Sequence, residues 1–477
     1  MINLFKSSIY MFISLFARLL TNVGIFFILA KFWNVQMFGE FMYYFTFTTL
    51  IVLFVDYGFS LKLVKDISTS PTDIKYLVSK AFGCKLFLTF ILVLVQFLFL
   101  NELDNYLLFV VLLSSSIFNS FGLFFCLPFR AINDFKSESV VTSVSNMLLI
   151  LFILLLMFID FTALTVSIAF LAGRLLFLCM SISTYKKKIG PLKIRELMKL
   201  KRNRQILNEL RSNFPYAVHF AAGTIYLQID TMIMHTYLGD NGVGFYQASV
   251  RILMGALLLN DVLTNVVLPK LSANNENFDK IGENINRIFL GIGSLVSIIL
   301  FVFAEQIINL LYGPNYHLTI SLLKLSSILL IIKYMGGLYG VLLTVSNKQN
   351  IRVMAVLISI TINVALNIVL IPKVGMKGAV VAAIVSSIVL NVIYMFVNIN
   401  VNKSVFINKR YIVLIIFYCT VICLNYFYHL SLLASIAVTL ITIIIILIIG
   451  TNNDEKNILF SYIKIKKMSS IKARRGA

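Results

Sequence analysis

A chain of 477 residues of which 59% are hydrophobic and 13% are charged, with a mean hydropathy of +0.92, is too apolar to be a soluble globular protein. We predict an all-α polytopic membrane protein. The formal net charge of +21 would suit nucleic acid only if the basic residues lay together on one exposed domain, and they are instead spread among short loops. Nucleic acid is therefore not an expected partner.

Apolar runs of membrane length recur along the whole chain. A hydrocarbon core ~30 Å thick requires roughly 20 apolar residues per helix. On this measure the predicted spans number about fourteen and lie at 9–30, 41–61, 82–100, 106–127, 139–159, 162–183, 212–237, 246–268, 286–307, 318–344, 351–372, 377–399, 410–428 and 430–450. Arg18 interrupts the first run, whereas a signal peptide has a shorter, uninterrupted apolar region, so we expect a retained helix.

Lys and Arg are distributed unequally between the connections of these spans. The odd-numbered connections hold few basic residues, and the even-numbered ones hold most of them. The longest even-numbered connection contains KKK at 186–188 and KLKRNR at 199–204. Because basic loops stay on the cytoplasmic side, both termini are predicted to be cytoplasmic. The short external connections leave no room for an external catalytic or receptor domain.

An internal repeat divides the chain into two related halves. Aligning 38–39 with 243–244 needs no gap and places Asp56 opposite Asp261. The basic segment 185–211 lies between the halves, and a midplane site between two such halves is the usual arrangement in transporters. The predicted domains are an N-terminal lobe at 1–184, a basic cytoplasmic linker at 185–211, a C-terminal lobe at 212–402, two further helices within 403–450 and a basic cytoplasmic tail at 451–477.

Charged side chains occur inside several predicted spans. Such a charge costs a few kcal/mol or more near the bilayer centre, so it normally faces protein or water and often marks a pathway. Two interpretations are open. The charges could form buried pairs that hold helices together, for example Arg18 with Asp56 or Arg251 with Asp230. Alternatively, they could line a transport pathway.

The excess of cations favours the pathway. The arginines and Lys333 outnumber the acids at similar depth, an unpaired buried cation is costly, and a guanidinium binds phosphate oxygens as a bidentate fork. The residues predicted to line a cavity for a pyrophosphate or sugar are Arg18, Asn22, Arg174, Arg251 and Lys333. The residues predicted to take part in coupling or gating are Asp56, Asp230 and Asp261.

Signatures of enzymes and of metal or cofactor sites are missing from the sequence. The cysteines lie in apolar segments without paired spacing, which supports neither a disulfide framework nor a zinc site. No P-loop with its lysine is present, so ATP hydrolysis is not expected. We predict a transporter and not an enzyme, without a cofactor or metal, driven by an H⁺ or Na⁺ gradient or by the gradient of its own substrate.

The run INVALNIVLIPKVGMKGAVVAAIVSS at 362–387 resembles the signature of the multidrug/oligosaccharidyl-lipid/polysaccharide exporter superfamily. The matching positions are Asn363, Asn367, Pro372, Gly375 and Gly378. The segment around Asp230 that continues through 238–248 is similar to the polysaccharide-transport branch, the Wzx-type O-antigen repeat-unit flippases.

This resemblance implies a V-shaped pair of six-helix lobes around a cationic cavity that opens alternately to each side. The implied substrate is an oligosaccharide linked to undecaprenyl pyrophosphate, moved across the bacterial cytoplasmic (inner) membrane for O-antigen, lipopolysaccharide or a related polysaccharide. By position, Arg18 and Arg251 would contact the pyrophosphate, while Asp230 and Asp261 would serve coupling or gating. Membrane lipids, a polysaccharide polymerase and a chain-length regulator are the expected partners.

Three other functions compete with a flippase. A drug or organic-cation exporter of the same superfamily should have an acid-rich site, and the cation excess speaks against it. A polytopic enzyme such as a polysaccharide polymerase is expected to carry its chemistry in a sizeable external loop, and none is present. A scaffold for biosynthetic enzymes would leave the charges inside the spans unexplained.

Overall fold

The computed structural model describes residues 20–70, 73–99, 103–192, 203–273, 278–346, 348–399, 418–422, 434 and 436–443, and in these residues the regular structure is helical. Its helices are α1 Ile25–Phe32, α2 Val35–Asp56, α3 Phe59–Thr69, α4 Ile74–Val95, α5 Tyr106–Ala131, α6 Phe135–Leu156, α7 Ala163–Lys188, α8 Asn203–Ala273, α9 Phe278–Val302, α10 Ala304–Leu311, α11 His317–Val345, α12 Gln349–Val374 and α13 Met376–Asn398. Short turns of other helix types occur at Leu20–Gly24, Gln96–Phe99 and Pro314–Tyr316.

These helices confirm the predicted all-α membrane architecture. Ten helices of the described chain are long and apolar enough to cross a membrane. They coincide with the eleven predicted spans from the second to the twelfth, because the helical segment Ile206–Thr264 covers both the seventh and the eighth. Most of the first span, and most of the two predicted C-terminal helices, lie outside the described residues. The chain is therefore a multi-pass membrane protein.

Several helices begin at a side chain that satisfies the free backbone N–H groups of the first turn. The carboxamide oxygen of Asn34 accepts from the Met37 N–H at 2.8 Å where α2 begins. Asp134 caps α6 in the same way, and Thr162 forms a reciprocal capping box with Thr165 at the start of α7. Each cap contributes about 1 kcal/mol to helix stability and defines where the chain enters the helix.

The second predicted span ends earlier than its apolar run suggested. Helix α2 stops at Asp56 because Tyr57 and Gly58 both adopt positive φ angles, +36° and +70°. The chain then continues as α3, which the sequence did not predict as a separate helix. Asp56 consequently lies at the C-terminal end of a helix, and the following turn packs its Gly58 against the backbone of Tyr216.

The turn predicted between the seventh and eighth spans is a single residue. Helical geometry runs through Asn203–Ala273 except at Gly239, where φ is +60° and ψ is −162°. Glycine adopts positive φ without the steric penalty of a Cβ, so one residue suffices to redirect the chain. Residues 240–245, expected in the turn, already belong to the next helical segment.

The chain divides into two compact units. Unit 1 comprises Met1–Gly255, Ile308–Leu322 and Val353–Ser386, and unit 2 comprises Ala256–Ile307, Leu323–Arg352 and Ser387–Ala477. One core of unit 1 packs aromatic side chains of α3, α5 and α7, including Phe59, Phe125 and Tyr185. A core of unit 2 surrounds Ile298 and Phe301 of α9. The division into lobes at 185–211, inferred from the repeat, stays a prediction.

Candidate functional site

A charged cluster lies inside unit 1 where α2, α4 and α5 meet. The Lys85 ammonium lies 2.6 Å from Asp56 Oδ1 and 2.6 Å from the Ser120 hydroxyl, which donates to the same carboxylate oxygen at 2.5 Å. Lys85 is 1% exposed, and its ammonium also lies over the rings of Phe121 and Phe124. A buried ammonium is tolerated because a carboxylate and a hydroxyl replace its water.

Lys85 is a site residue that is not among those predicted from the sequence. The pairing considered for Asp56 was with Arg18, which lies outside the described residues. The signal that could have found the pair is weak, because Asp56 and Lys85 belong to different helices. Asp56 is the last residue of α2, whereas Lys85 lies near the middle of α4, so their positions along the helices do not indicate the pair either.

A polar cavity opens beside Asp56 in unit 1. Its volume is 270 Å³, and a neighbouring cavity of 170 Å³ shares Asn119, Leu123 and Arg174 with it. The polar side chains that line the two cavities are Thr49, Asp56, Ser115, Ser116, Asn119, Ser120, Thr142, Ser145, Asn146, Arg174 and Thr224. Arg174 is half-buried and donates to Asn146 Oδ1 at 3.3 Å. Thus Asp56 and Arg174, for which the sequence predicted different roles, border the same cavity.

Arg251 is held on the second half of α8 and is 5% exposed. Its guanidinium carbon lies 4.0 Å from the centroid of the Phe26 ring, a cation–π contact. Its terminal nitrogens lie 3.9 Å from the sulfur atoms of Met42 and Met254. These contacts orient the guanidinium plane and contribute no negative charge.

Asp230 is bound by an asparagine of the signature run on α12. Its Oδ1 accepts from Asn367 at 2.7 Å and its Oδ2 accepts from the Tyr246 hydroxyl at 2.9 Å. Asn367 also donates to Asn363, whose amide lies 3.5 Å from the Ser386 hydroxyl. Both asparagines were motif positions without a predicted function, yet Asn367 binds the Asp230 carboxylate and Asn363 accepts from Asn367.

The remaining predicted residues lie in unit 2 or outside the residues that the structure describes. Asp261 is exposed on α8, and Lys333 is half-buried on α11, both in unit 2. Arg18, and the side chain of Asn22, lie outside the described part of the chain. The assignment of the predicted set to one substrate cavity therefore stays a prediction.

One end of unit 1, which we call the glycine end, brings the repeat-related glycines together. A Cβ on Gly39 would overlap the carbonyl oxygen of Asp240, and a Cβ on Gly244 would overlap that of Val35. The helix backbones therefore touch directly, as only glycine permits. Beside them, His235 stacks on Tyr43 with ring centroids 3.6 Å apart, and its Nε2 lies 3.3 Å from Asp240 Oδ1.

The glycine end also holds the only tryptophan of the sequence. Trp33 is 5% exposed, and its indole N–H donates to the Phe161 carbonyl at 2.6 Å. Its ring packs against Phe41 at a centroid distance of 5.4 Å.

The opposite end, which we call the lysine end, is joined by charged side chains. Glu209 of α8 accepts from Lys62 of α3 at 2.5 Å and forms an ion pair with Lys80 of α4 at 2.6 Å. The Asn213 amide donates to the Tyr57 carbonyl at 2.7 Å, which ties α8 to the turn after Asp56.

Comparisons with known proteins agree with this architecture. The sequence profile of a family described as polysaccharide biosynthesis protein matches residues 4–275, which is more than half of the chain. A structure of the lipid II flippase MurJ in an inward closed conformation is similar with a TM-score of 0.73 at 17% identity, covering 94% of this chain and 98% of that chain.

Two structures of a MATE family multidrug resistance transporter of the MOP superfamily are also similar. The inward-facing structure has a TM-score of 0.63 at 16% identity and covers 81% of this chain and 94% of that chain. The outward-facing structure has a TM-score of 0.60 at 15% identity and covers 84% and 96%. At these identities the likeness shows a shared fold. No curated protein sequence matches the chain significantly.

Proposed function

Since the chain belongs to the polysaccharide biosynthesis protein family, we propose that it is a flippase for undecaprenyl-pyrophosphate-linked oligosaccharide repeat units of an O-antigen or related polysaccharide. The family match over 4–275 carries this proposal. The fold shared with the lipid II flippase MurJ supports it, because that protein is also a flippase. Alternating access across the bacterial cytoplasmic membrane is the proposed mechanism.

Arg251 is the proposed contact for the pyrophosphate. Its guanidinium is buried inside the helices and oriented by the Phe26 ring, so its donors are preorganised before a ligand arrives. A pyrophosphate supplies two charged groups of oxygens that a guanidinium fork matches. An organic-cation exporter would gain nothing from a buried arginine at this position.

Ion coupling is proposed at Asp230 and Asp261. The Asp230 carboxylate lies among Tyr246, Asn367 and Asn363, a polar setting in which the uptake of H⁺ or Na⁺ changes which hydrogen bonds can form. The lysine end, with its basic connections, is proposed to face the cytoplasm, as are both termini. Exported repeat units would then reach a polymerase and a chain-length regulator on the other side.

The test measures radiolabelled lipid-linked repeat units on the cytoplasmic leaflet of a deletion strain, with the gene restored as the parent or as a variant. We expect accumulation that the parent gene reverses. Arg251→Ala, at parent expression, should lower export about tenfold to a hundredfold, because a charge-assisted hydrogen bond contributes roughly 1.5–3 kcal/mol. Arg211→Ala is the matched control, since Arg211 is an exposed arginine of the same helix.

Two outcomes would contradict the proposal. Export by Arg251→Ala at the parent rate would show that Arg251 does not contact the pyrophosphate. A deletion strain that accumulates no lipid-linked repeat units, but changes its sensitivity to cationic dyes, would indicate a drug exporter instead.

A further inference from the structure

We propose that the paired cavities bordered by Asp56, Asn119 and Arg174 form a carbohydrate subsite that holds part of the sugar chain of the substrate. The inference rests on the proposed function and deepens it. In this proposal the sugar part of the substrate binds between α2, α5, α6 and α7, and the pyrophosphate binds Arg251.

The first observation is the density of polar side chains around these cavities. On α5 the lining residues are Ser115, Ser116, Asn119 and Ser120. The last three follow Ser115 by one, four and five positions, so all four lie on one side of the helix. On α6 the lining residues 142, 145 and 146 likewise share a face. Polar groups inside a membrane-spanning bundle are costly unless they bind one another or a polar ligand.

Much of this lining has hydrogen-bonding capacity left for a ligand. The Ser145 hydroxyl donates to a carbonyl of its own helix at 3.1 Å, so its oxygen can still accept. The Asn119 amide makes no hydrogen bond to any residue that the structure describes. Asp56, which borders the larger cavity, uses Oδ1 for both Lys85 and Ser120, so Oδ2 is its remaining acceptor.

The chemistry of these groups fits a sugar better than a phosphate. Hydroxyl and amide side chains both donate and accept, which suits a ligand whose hydroxyls do the same. The Asp56 carboxylate, whose charge is offset by Lys85, accepts readily from a sugar hydroxyl. Arg174 of α7, opposite in charge to Asp56, supplies hydrogen-bond donors to the same cavities.

Aromatic rings supply the apolar part of the lining. Phe45, Phe170 and Phe220 border the larger cavity, and Phe177 borders the smaller one. The C–H face of a pyranose packs on such rings while its hydroxyls point outward to polar groups. Volumes of 270 and 170 Å³ lie at or below the lower end for small-ligand sites, so the subsite takes a short portion of the oligosaccharide.

The test compares two lipid probes that differ only in the sugar. Lipid-linked repeat units are extracted from the deletion strain, and bare undecaprenyl pyrophosphate is the second probe. Native mass spectrometry of the purified full chain gives the affinity of each. Asn119→Leu keeps the size of the side chain and removes its donors and acceptor, and Asn350→Leu makes the same exchange at an exposed position.

We expect Asn119→Leu to bind the glycosylated lipid about tenfold more weakly and the bare lipid as the parent does, on the order of one lost hydrogen bond. Asn350→Leu should change neither affinity. If Asn119→Leu does not fold, Asn119→Ala takes its place. Parent-like affinity for the glycosylated lipid, or an equal loss for both probes, would overturn the subsite alone. A parent protein that binds neither probe would overturn the proposed function itself.

Discussion

The two ends of unit 1 are held together by different kinds of contact. At the glycine end, Gly39 and Gly244 bring helix backbones into direct contact, with no side chain between them. At the lysine end, Glu209 bridges Lys62 and Lys80 from two other helices. Long flexible side chains connect one end, whereas rigid main chain connects the other.

The difference matters because the two kinds of contact respond to different perturbations. Backbone packing is insensitive to salt and pH, but it depends steeply on volume, since an added methyl group has nowhere to go. Ion pairs tolerate changes of shape and respond to charge and ionic strength. An alternating-access protein with these two ends would open one end by breaking ion pairs and the other by separating fitted surfaces.

The largest expected effect follows from adding a methyl group at the glycine end. Gly39→Ala or Gly244→Ala places a Cβ on a backbone carbonyl of the facing segment, and backbone cannot rotate away as a side chain can. We expect destabilisation at or above the ~1–3 kcal/mol of ordinary overpacking, and loss of export. Thermal unfolding of the purified protein and the export assay measure the two effects.

Gly223→Ala is the matched control, because a Cβ at that helical position meets no atom within 4 Å. It should be neutral or slightly stabilising, since alanine favours a helix over glycine by about 1 kcal/mol. Normal stability and export in Gly39→Ala would show that the two backbones do not need their present contact.

The next effect concerns the lysine end. Glu209→Gln keeps the shape of a side chain that is 12% exposed, but it leaves the Lys80 ammonium without its carboxylate and Lys62 with only the longer pair to Asp66. We expect a loss of about 1–3 kcal/mol, between the values for exposed and buried ion pairs. Asp66→Asn is the control, since its pair with Lys62 is 3.7 Å long and more exposed. A loss no larger than that of the control would mean that Glu209 does not hold this end together.

The smallest effect is a pH-dependent one at the start of α6. Burial raises the pKa of Asp134, but hydrogen bonds from Lys188 and Ser137 outweigh it, so the pKa lies below its ordinary value. A lowered pKa stabilises the fold above the unfolded-state pKa of ~3.9, and this stabilisation is lost as the pH falls through the folded-state pKa. Because Lys188 is 47% exposed, solvent screening limits the contribution to about 1 kcal/mol or less.

Asp134→Asn retains a good helix cap and removes the charge. The variant should therefore unfold at a slightly lower temperature than the parent at pH 7, and the two should converge near pH 3. A difference in unfolding temperature that stays constant between these pH values would exclude the ion pair as its cause.

Much of the fold follows from sequence because hydrocarbon imposes a simple rule on length and polarity. The repeat even located the shared break, since Asn34 before α2 and Gly239 within α8 occupy equivalent places in the alignment of 38–39 with 243–244. Helix α3 was not predicted as a separate helix, because a tyrosine such as Tyr57 does not indicate a positive φ and therefore a helix end.

The site was less predictable, because hydropathy identifies a charge but not its partner. Asp56 was found as a charge within a span, yet its partner Lys85 comes from another helix. Asp230 and Asn367 are 137 residues apart, and only the folded chain shows that they share a hydrogen bond. The polar face of α5 was missed because serines and a lone asparagine hardly lower the hydropathy of an apolar run.

Because Trp33 is buried, it can serve as an intrinsic fluorescence probe of this protein. A single indole, shielded from water and bound to the Phe161 carbonyl, emits at short wavelength, and its spectrum shifts to the red when water reaches it. Because the ring lies at the glycine end, the emission of the unlabelled protein follows separation of that end and is insensitive to motion at the lysine end.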